Sequence, residues 1–234
     1  MSWHLGRMCG FDLETTGVDV ETDRIVTATV VQVGGGQPVA PADWLANPGI
    51  DIPDAAAKVH GITTDHARDK GRPAAEVVAD VLAALGQVIS AGVPVVAMNA
   101  RFDLTMLDRE AARYGLPPLP TGPVIDPLVL DKQVDRYRRG KRNLTALCEH
   151  YGVNLGEAHT SSADAIAACR VAWRIGNTRP QLAAMSLTEL HTAQVGWAAE
   201  QAAGLQEYLR KSDPAAYCPP EWPLLPRHQN GAVL

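Results

Sequence analysis

Met8-Cys9-Gly10-Phe11-Asp12-Leu13-Glu14-Thr15-Thr16-Gly17 is the stretch on which the fold turns. Met8 to Leu13 is a short apolar run that ends in acids, the pattern of a buried strand with a functional C-terminal end. Alternation along a strand points Asp12 and Glu14 to one face, so two carboxylates can share one metal. Downstream, Ile25 to Val33 is rich in Val and Thr and carries no charge, which predicts a second, central strand. Gly34-Gly35-Gly36 closes it as a turn, and a third strand is predicted around Ala42 to Ala46. Three successive strands joined by tight turns predict an antiparallel meander.

The period then changes. Pro73 to Ser90 places Val77, Val78, Val81, Leu82, Leu85, Val88 and Ile89 on one helical face. Pro94 to Met98 reads as a strand, and Phe102 to Tyr114 as a helix closed by Gly115. A proline-rich loop leads to a short strand, Val124-Ile125. Helices are predicted around Pro127 to Val134, Asn143 to Tyr151 and Ser162 to Ile175. A meander followed by alternating strands and helices predicts an α/β or α+β fold with a mixed sheet. Asn177 to Pro180 reads as a boundary, dividing the chain into a domain over 1–178 and an extension over 179–234. Ser186-Leu187-Thr188-Glu189 is a capping box opening a long helix over about 187–211, with Leu187, Leu190, Trp197, Leu205 and Tyr208 as its apolar stripe. Pro214, Pro219, Pro220, Pro223 and Pro226 then impose an extended tail. The long helix either folds back onto the domain or meets a second subunit or a polymerase, which leaves the oligomeric state open.

With 46% hydrophobic and 20% charged residues, the 234-residue chain can bury a sizeable core, which excludes a disordered tail, a coiled coil or a disulfide-stapled mini-domain. A net charge of −5 argues at first sight against nucleic acid as a partner. The positions of the charges reverse that reading. Asp12, Glu14, Asp103 and Asp164 fall at strand ends or first helical turns, where divalent cations can neutralise them. The basic run Lys132, Arg136, Arg138, Arg139, Lys141 and Arg142 is opposed only by Asp135 and reads as a phosphate-guiding rim. Cys9, Cys148, Cys169 and Cys218 are widely spaced, so zinc ribbons are not expected and free thiols in a reducing compartment are. Val81 to Ala100 lacks formal charge but is broken by Gly86, Gly92 and Pro94, so no membrane span is expected. The expected location is the cytoplasm.

The motifs then become specific. Phe11-Asp12-Leu13-Glu14-Thr15-Thr16-Gly17 resembles the first motif of the DEDDh 3′→5′ exonucleases, the DnaQ-like family. Asn99-Ala100-Arg101-Phe102-Asp103 resembles the second motif. His159-Thr160-Ser161-Ser162-Ala163-Asp164 has the His-then-Asp spacing of the third. Val59-His60-Gly61-Ile62-Thr63 resembles a further signature, and Gly140 to Cys148 is similar to the proofreading subunit of bacterial DNA polymerase III. These matches occur in family order over about residues 8–176. Met98 and Ser161 depart from the pattern, where histidine and alanine are common.

The resemblance implies an RNase H-like fold: a five-stranded mixed sheet flanked by helices, here with a C-terminal helical extension. It implies two divalent cations, Mg²⁺ or Mn²⁺, with Asp12, Glu14 and Asp164 holding one and Asp12 with Asp103 serving the other. His159 is implied as general base. Thr15 would meet the terminal 3′-hydroxyl, and His60 and Ile62 would line the pocket of the terminal nucleotide. Asn99 and Phe102 are the further candidate substrate contacts, Asn99 reading equally as a turn residue and Phe102 as packing under the site. The implied activity is release of nucleoside 5′-monophosphates from the 3′ end of single-stranded DNA, in proofreading or repair, and proofreading requires a DNA polymerase partner. Two alternatives stand beside it: a 3′→5′ exoribonuclease that trims RNA, and a non-catalytic polymerase accessory subunit.

Overall fold

The structure is a computed structural model and describes residues 2–155 and 160–227. Three long strands, β1 (Arg7–Thr15), β2 (Ile25–Gly34) and β3 (Ala40–Asn47), form the predicted antiparallel meander. Gly34, Gly35 and Gly36 all have positive φ, the left-handed region that L side chains resist, which makes the β2–β3 turn possible. Two short helices follow, α1 (Asp54–His60) and α2 (Thr64–Lys70), before the two-residue strand β4 (Arg72–Pro73). Then come α3 (Ala74–Ser90), β5 (Val95–Val96), α4 (Ala100–Arg113), β6 (Val124–Ile125), α5 (Pro127–Val134) and α6 (Leu144–Tyr151). The chain closes with α7 (Ser161–Thr178), α8 (Pro180–Ala183) and α9 (Leu187–Leu209).

The sheet runs β4-β3-β2-β1-β5-β6, with β5 and β6 parallel to β1. It has six strands rather than the expected five, because Arg72 and Pro73 pair in parallel with the edge of β3. That pair has no apolar alternation of its own, so no strand signal marks it. The same reason hides α1 and α2: seven residues each, with no buried side chain in α1 and only Ala67 buried in α2.

Strand alternation divides the core into two layers. Cys9, Phe11 and Leu13 of β1 pack with α3 and α4 residues such as Val81, Leu85, Leu104 and Leu107. Met8, on the opposite face, joins a second cluster with Leu147, Ala165, Ala168, Val171 and Ile175 from α6 and α7. Asp12 shares the face of Met8 by period two, which turns it toward α7.

The extension packs against the domain. Gln194, fully buried in α9, accepts from Asp126 N (2.8 Å) and donates to Val124 O (2.9 Å), tying the helix to β6. His191 Nδ1 accepts from Val124 N at 3.1 Å. The expected apolar stripe holds in part: Leu190 is buried and Leu187 and Trp197 are half-buried against the core, whereas Leu205 and Tyr208 are exposed, and the other buried apolar positions are Ala198 and Ala202. The polar Gln194 lies on the packed face instead, because it saturates edge-strand backbone groups that an apolar side chain would leave unpaired. The tail after α9 returns across α4: Trp222 is buried, Leu225 N donates to Thr105 Oγ1, and Arg227 pairs with Asp108. None of the described helices is long and apolar enough to cross a membrane.

Candidate active site

Four acids come from three elements. Asp12 and Glu14 leave the end of β1, Asp103 lies in the first turn of α4, and Asp164 in the first turn of α7. A register shift between Glu14 and Thr15 marks a bulge, beyond which Thr15 still pairs with Ile25. Asp12, Glu14 and Asp164 each place a ligand oxygen within 4.8 Å of the others. Asp103 is not in that tight group. It is buried, and its Oδ1 accepts the Leu13 N–H at 3.1 Å, which orients it from behind β1.

Close approach of α7 to β1 brings Asp164 into the cluster, and Gly10 permits it. A Cβ at Gly10 would stand 2.5 Å from the Ala165 carbonyl oxygen. The helix start is held by hydroxyls: Ser161, buried, accepts from Thr29 Oγ1 at 3.0 Å and lies 3.3 Å from Thr27 Oγ1. Thr160 caps the helix by accepting from Ala163 N. The departure at Ser161 is thus a β2-facing anchor, a role legible only once Thr27 and Thr29 are placed beside it.

The electrostatics follow from crowding. Burial, then Asp103, Glu14 and Asp164 push the Asp12 carboxyl well above the usual range. Burial and then Asp164 raise Glu14 to about 7. Burial likewise raises Asp103, opposed by the Leu13 N–H. Carboxylates that repel one another at this spacing fit a hard divalent cation, and the donor set is all oxygen with no thiolate.

The remaining predicted residues divide. His60 is brought beside Thr15: burial lowers its pKa, and the Thr15 backbone carbonyl partly opposes that. His60 Nδ1 accepts from Ile62 N at 3.2 Å, so the segment after α1 is folded onto itself near the end of β1. Ile62 packs against Val26, Ile52 and Ala67. Phe102 packs against the α3–α4 core layer. Asn99 caps α4 in the left-handed conformation, φ 62°, and its N–H donates to Asp126 Oδ1 at 3.0 Å. His159 lies outside the described residues.

The basic run does not act as one rim. Asp131, fully buried, accepts from Arg138 (2.7 Å), Arg142 and Tyr151 Oη (2.9 Å). Arg138 and Arg142 therefore brace the α5–α6 connection. The acid that claims them lies outside the run, one residue before Lys132, so counting opposing charge within the run missed it.

A mixed sheet thus brings Asp12 and Glu14 at the end of β1 and Asp164 in the first turn of α7 close enough to share one metal ion, with Asp103 of α4 behind the same strand. The family model described as Exonuclease (RNase_T) matches residues 9–172, and the chain belongs to that family. It is 29% identical over 188 residues to a DNA polymerase III PolC-type of Lactococcus lactis, covering 80% of this chain and 10% of that protein. It is 31% identical over 165 residues to the PolC-type enzyme of Oceanobacillus iheyensis, covering 70% of this chain and 11% of that one. Among solved structures it is similar to Exonuclease I of E. coli in complex with a dA16 oligonucleotide: TM-score 0.65, 20% identity, 76% of this chain and 42% of that chain. A zinc-bound form of the same enzyme with single-stranded DNA gives a TM-score of 0.64, again at 20% identity, over 76% of this chain and 42% of that chain. The chain thus spans about a tenth of the curated relatives and under half of the solved ones.

Proposed function

We propose that the chain is a divalent-cation-dependent 3′→5′ exonuclease that releases nucleoside 5′-monophosphates from single-stranded DNA. The observation that carries this reading is the convergence of Asp12, Glu14 and Asp164 within 4.8 Å, with Asp103 buried behind the same strand. Asp12, Glu14 and Asp164 hold one cation, and Asp12 with Asp103 serves a second, either Mg²⁺ or Mn²⁺. Bound there, such cations supply Lewis-acid stabilisation of phosphodiester oxygens and a water of lowered pKa. The chain's own groups do the rest. His159 accepts the proton of the attacking water as general base. The Thr15 backbone meets the terminal 3′-hydroxyl, and His60 and Ile62, adjoining it, wall the terminal nucleotide against solvent. Asn99 and Phe102 border the same end of α4.

DNA is favoured as substrate because the relatives include DNA polymerases and the structural neighbours include an exonuclease complexed with DNA oligonucleotides. The polymerase relatives also support a proofreading role with a polymerase partner. The deciding experiment measures monophosphate release from matched, 5′-labelled DNA and RNA strands with added Mg²⁺. DNA is expected to be degraded faster, EDTA to stop the reaction, and Asp12→Ala to lower the rate on the order of 10³-fold, the scale of removing a transition-state charge stabiliser. Faster RNA degradation would replace the substrate assignment, and activity that survives both EDTA and Asp12→Ala would overturn the catalytic one.

A further inference from the structure

Beside the α4 cap lies a cavity of about 220 Å³ that is lined by none of the four acids and meets the proposed nucleotide site only at Asn99. Arg101, in the first turn of α4, and Lys132, in α5, both line it. The facing wall comes from α9 and the returning tail, including Leu205, Tyr217 and Trp222, all beyond the residues matched by the family model. Both cations are half-buried, and neither makes a hydrogen bond or ion pair among the described residues.

The acid in the same cavity is already engaged. Asp126 accepts from Asn99 N (3.0 Å), Ala100 N (3.0 Å), Leu128 N (2.9 Å) and Trp222 Nε1 (3.3 Å). Four N–H donors saturate its oxygens, so it caps two helices and clasps the tail rather than pairing with either cation. Glu221, exposed, influences Arg101 through space without forming an ion pair. Burial lowers the pKa of both Arg101 and Lys132, and the nearby Asp126 carboxylate opposes that only in part. A guanidinium fork and an ammonium in one cleft are the donors that recognise a phosphate, and the apolar wall of Leu205, Tyr217 and Trp222 suits a sugar or base.

We propose that this cavity binds a nucleotide phosphate, presented either by an internal position of a nucleic-acid strand or by a free nucleoside monophosphate. The strand source rests on the exonuclease reading above, whereas phosphate binding itself does not. The test uses the full chain in EDTA, so no hydrolysis intervenes. A fluorescent oligothymidylate and 5′-dAMP are titrated separately into the wild type, Arg101→Gln and Lys132→Gln, with thermal melting as the control for folding. Each variant is expected to weaken binding about tenfold, the scale of one charge-assisted hydrogen bond. Weakening of the oligonucleotide alone, with its logarithmic salt slope reduced by about 0.7 per cation removed, assigns a strand phosphate. Weakening of 5′-dAMP alone assigns a free nucleotide, and weakening of both supports a site open to either. Unchanged affinity for both probes in a variant that melts like the wild type overturns the proposal. A wild type that binds the probes but degrades no strand with Mg²⁺ would sink the exonuclease reading and leave this one standing.

Discussion

Gly10→Ala probes how finely the carboxylate cluster depends on backbone approach. The new methyl would stand 2.5 Å from the Ala165 oxygen, 2.9 Å from its carbonyl carbon and 3.1 Å from Cys169 Sγ. A carbon–oxygen contact becomes comfortable near about 3.3 Å, so α7 must retreat from β1 by about 0.8 Å. The obstacle is helix backbone and has no rotamer to change. Overpacking of this kind costs about 1–3 kcal/mol, which for a chain of this size lowers Tm by roughly 2–12 °C. The functional effect is expected to be larger. Asp164 begins one residue before Ala165, so the retreat draws one carboxylate away from two that stay on β1. Misplacement approaching 1 Å can cost about 10²-fold in rate, and Mg²⁺ tolerates poor geometry badly. The assay pairs thermal melting with oligonucleotide hydrolysis over a Mg²⁺ titration. A cooperative melt with reduced Tm, a raised Mg²⁺ half-saturation point and a rate down about 10–100-fold are expected. Wild-type melting together with wild-type Mg²⁺ dependence would refute the idea that the β1–α7 approach sets the site.

Three further outcomes follow from the same geometry. Asp131→Ala leaves Arg138, Arg142 and the Tyr151 hydroxyl without their shared acceptor, and denaturant unfolding should show a loss of about 3–5 kcal/mol; a change below about 1 kcal/mol would contradict the bracing role. The metal-free protein should lose stability as pH rises. Glu14 titrates near 7 in the folded state against an ordinary 4.5, so the folded state binds this proton more tightly, and the resulting stability declines across that window. Allowing for its partial exposure, Glu14 alone contributes about 1–2 kcal/mol. Melting in EDTA at pH 5 and pH 8 reads the trend, Mg²⁺ should abolish or reverse it, and a rise in Tm toward pH 8 in EDTA would contradict it. Trp222→Ala removes a buried indole that clasps Asp126, and a loss of about 3–5 kcal/mol is expected from chemical denaturation; wild-type stability would mean the tail is not docked.

Elements with their own periodicity were legible in the sequence, and their ends were less so. The meander, α3 and the capping box of α9 were readable because alternation, a 3.6-residue stripe and a reciprocal cap are local signals. The helix predicted from Phe102 begins at Ala100, since its cap is supplied by Asp126, 26 residues beyond Ala100. The long helix ends at Leu209 rather than Lys211. For the site, the shared face of Asp12 and Glu14 follows from strand alternation alone, whereas the arrival of Asp164 depends on Gly10 and on Ser161 against β2.

The sequence by itself determined the alternation that puts two acids on one face and the order of motifs that marks the family. Only the tertiary structure decided which charges meet. It drew Asp164 into the cluster and left Asp103 bonded behind Leu13. It tied Arg138 and Arg142 to an acid within the α5 helix while leaving Arg101 and Lys132 facing a cavity. The physical reason is range: periodicity is written by neighbours three or four residues apart, but a carboxylate is paired or left unpaired by segments that only packing brings together.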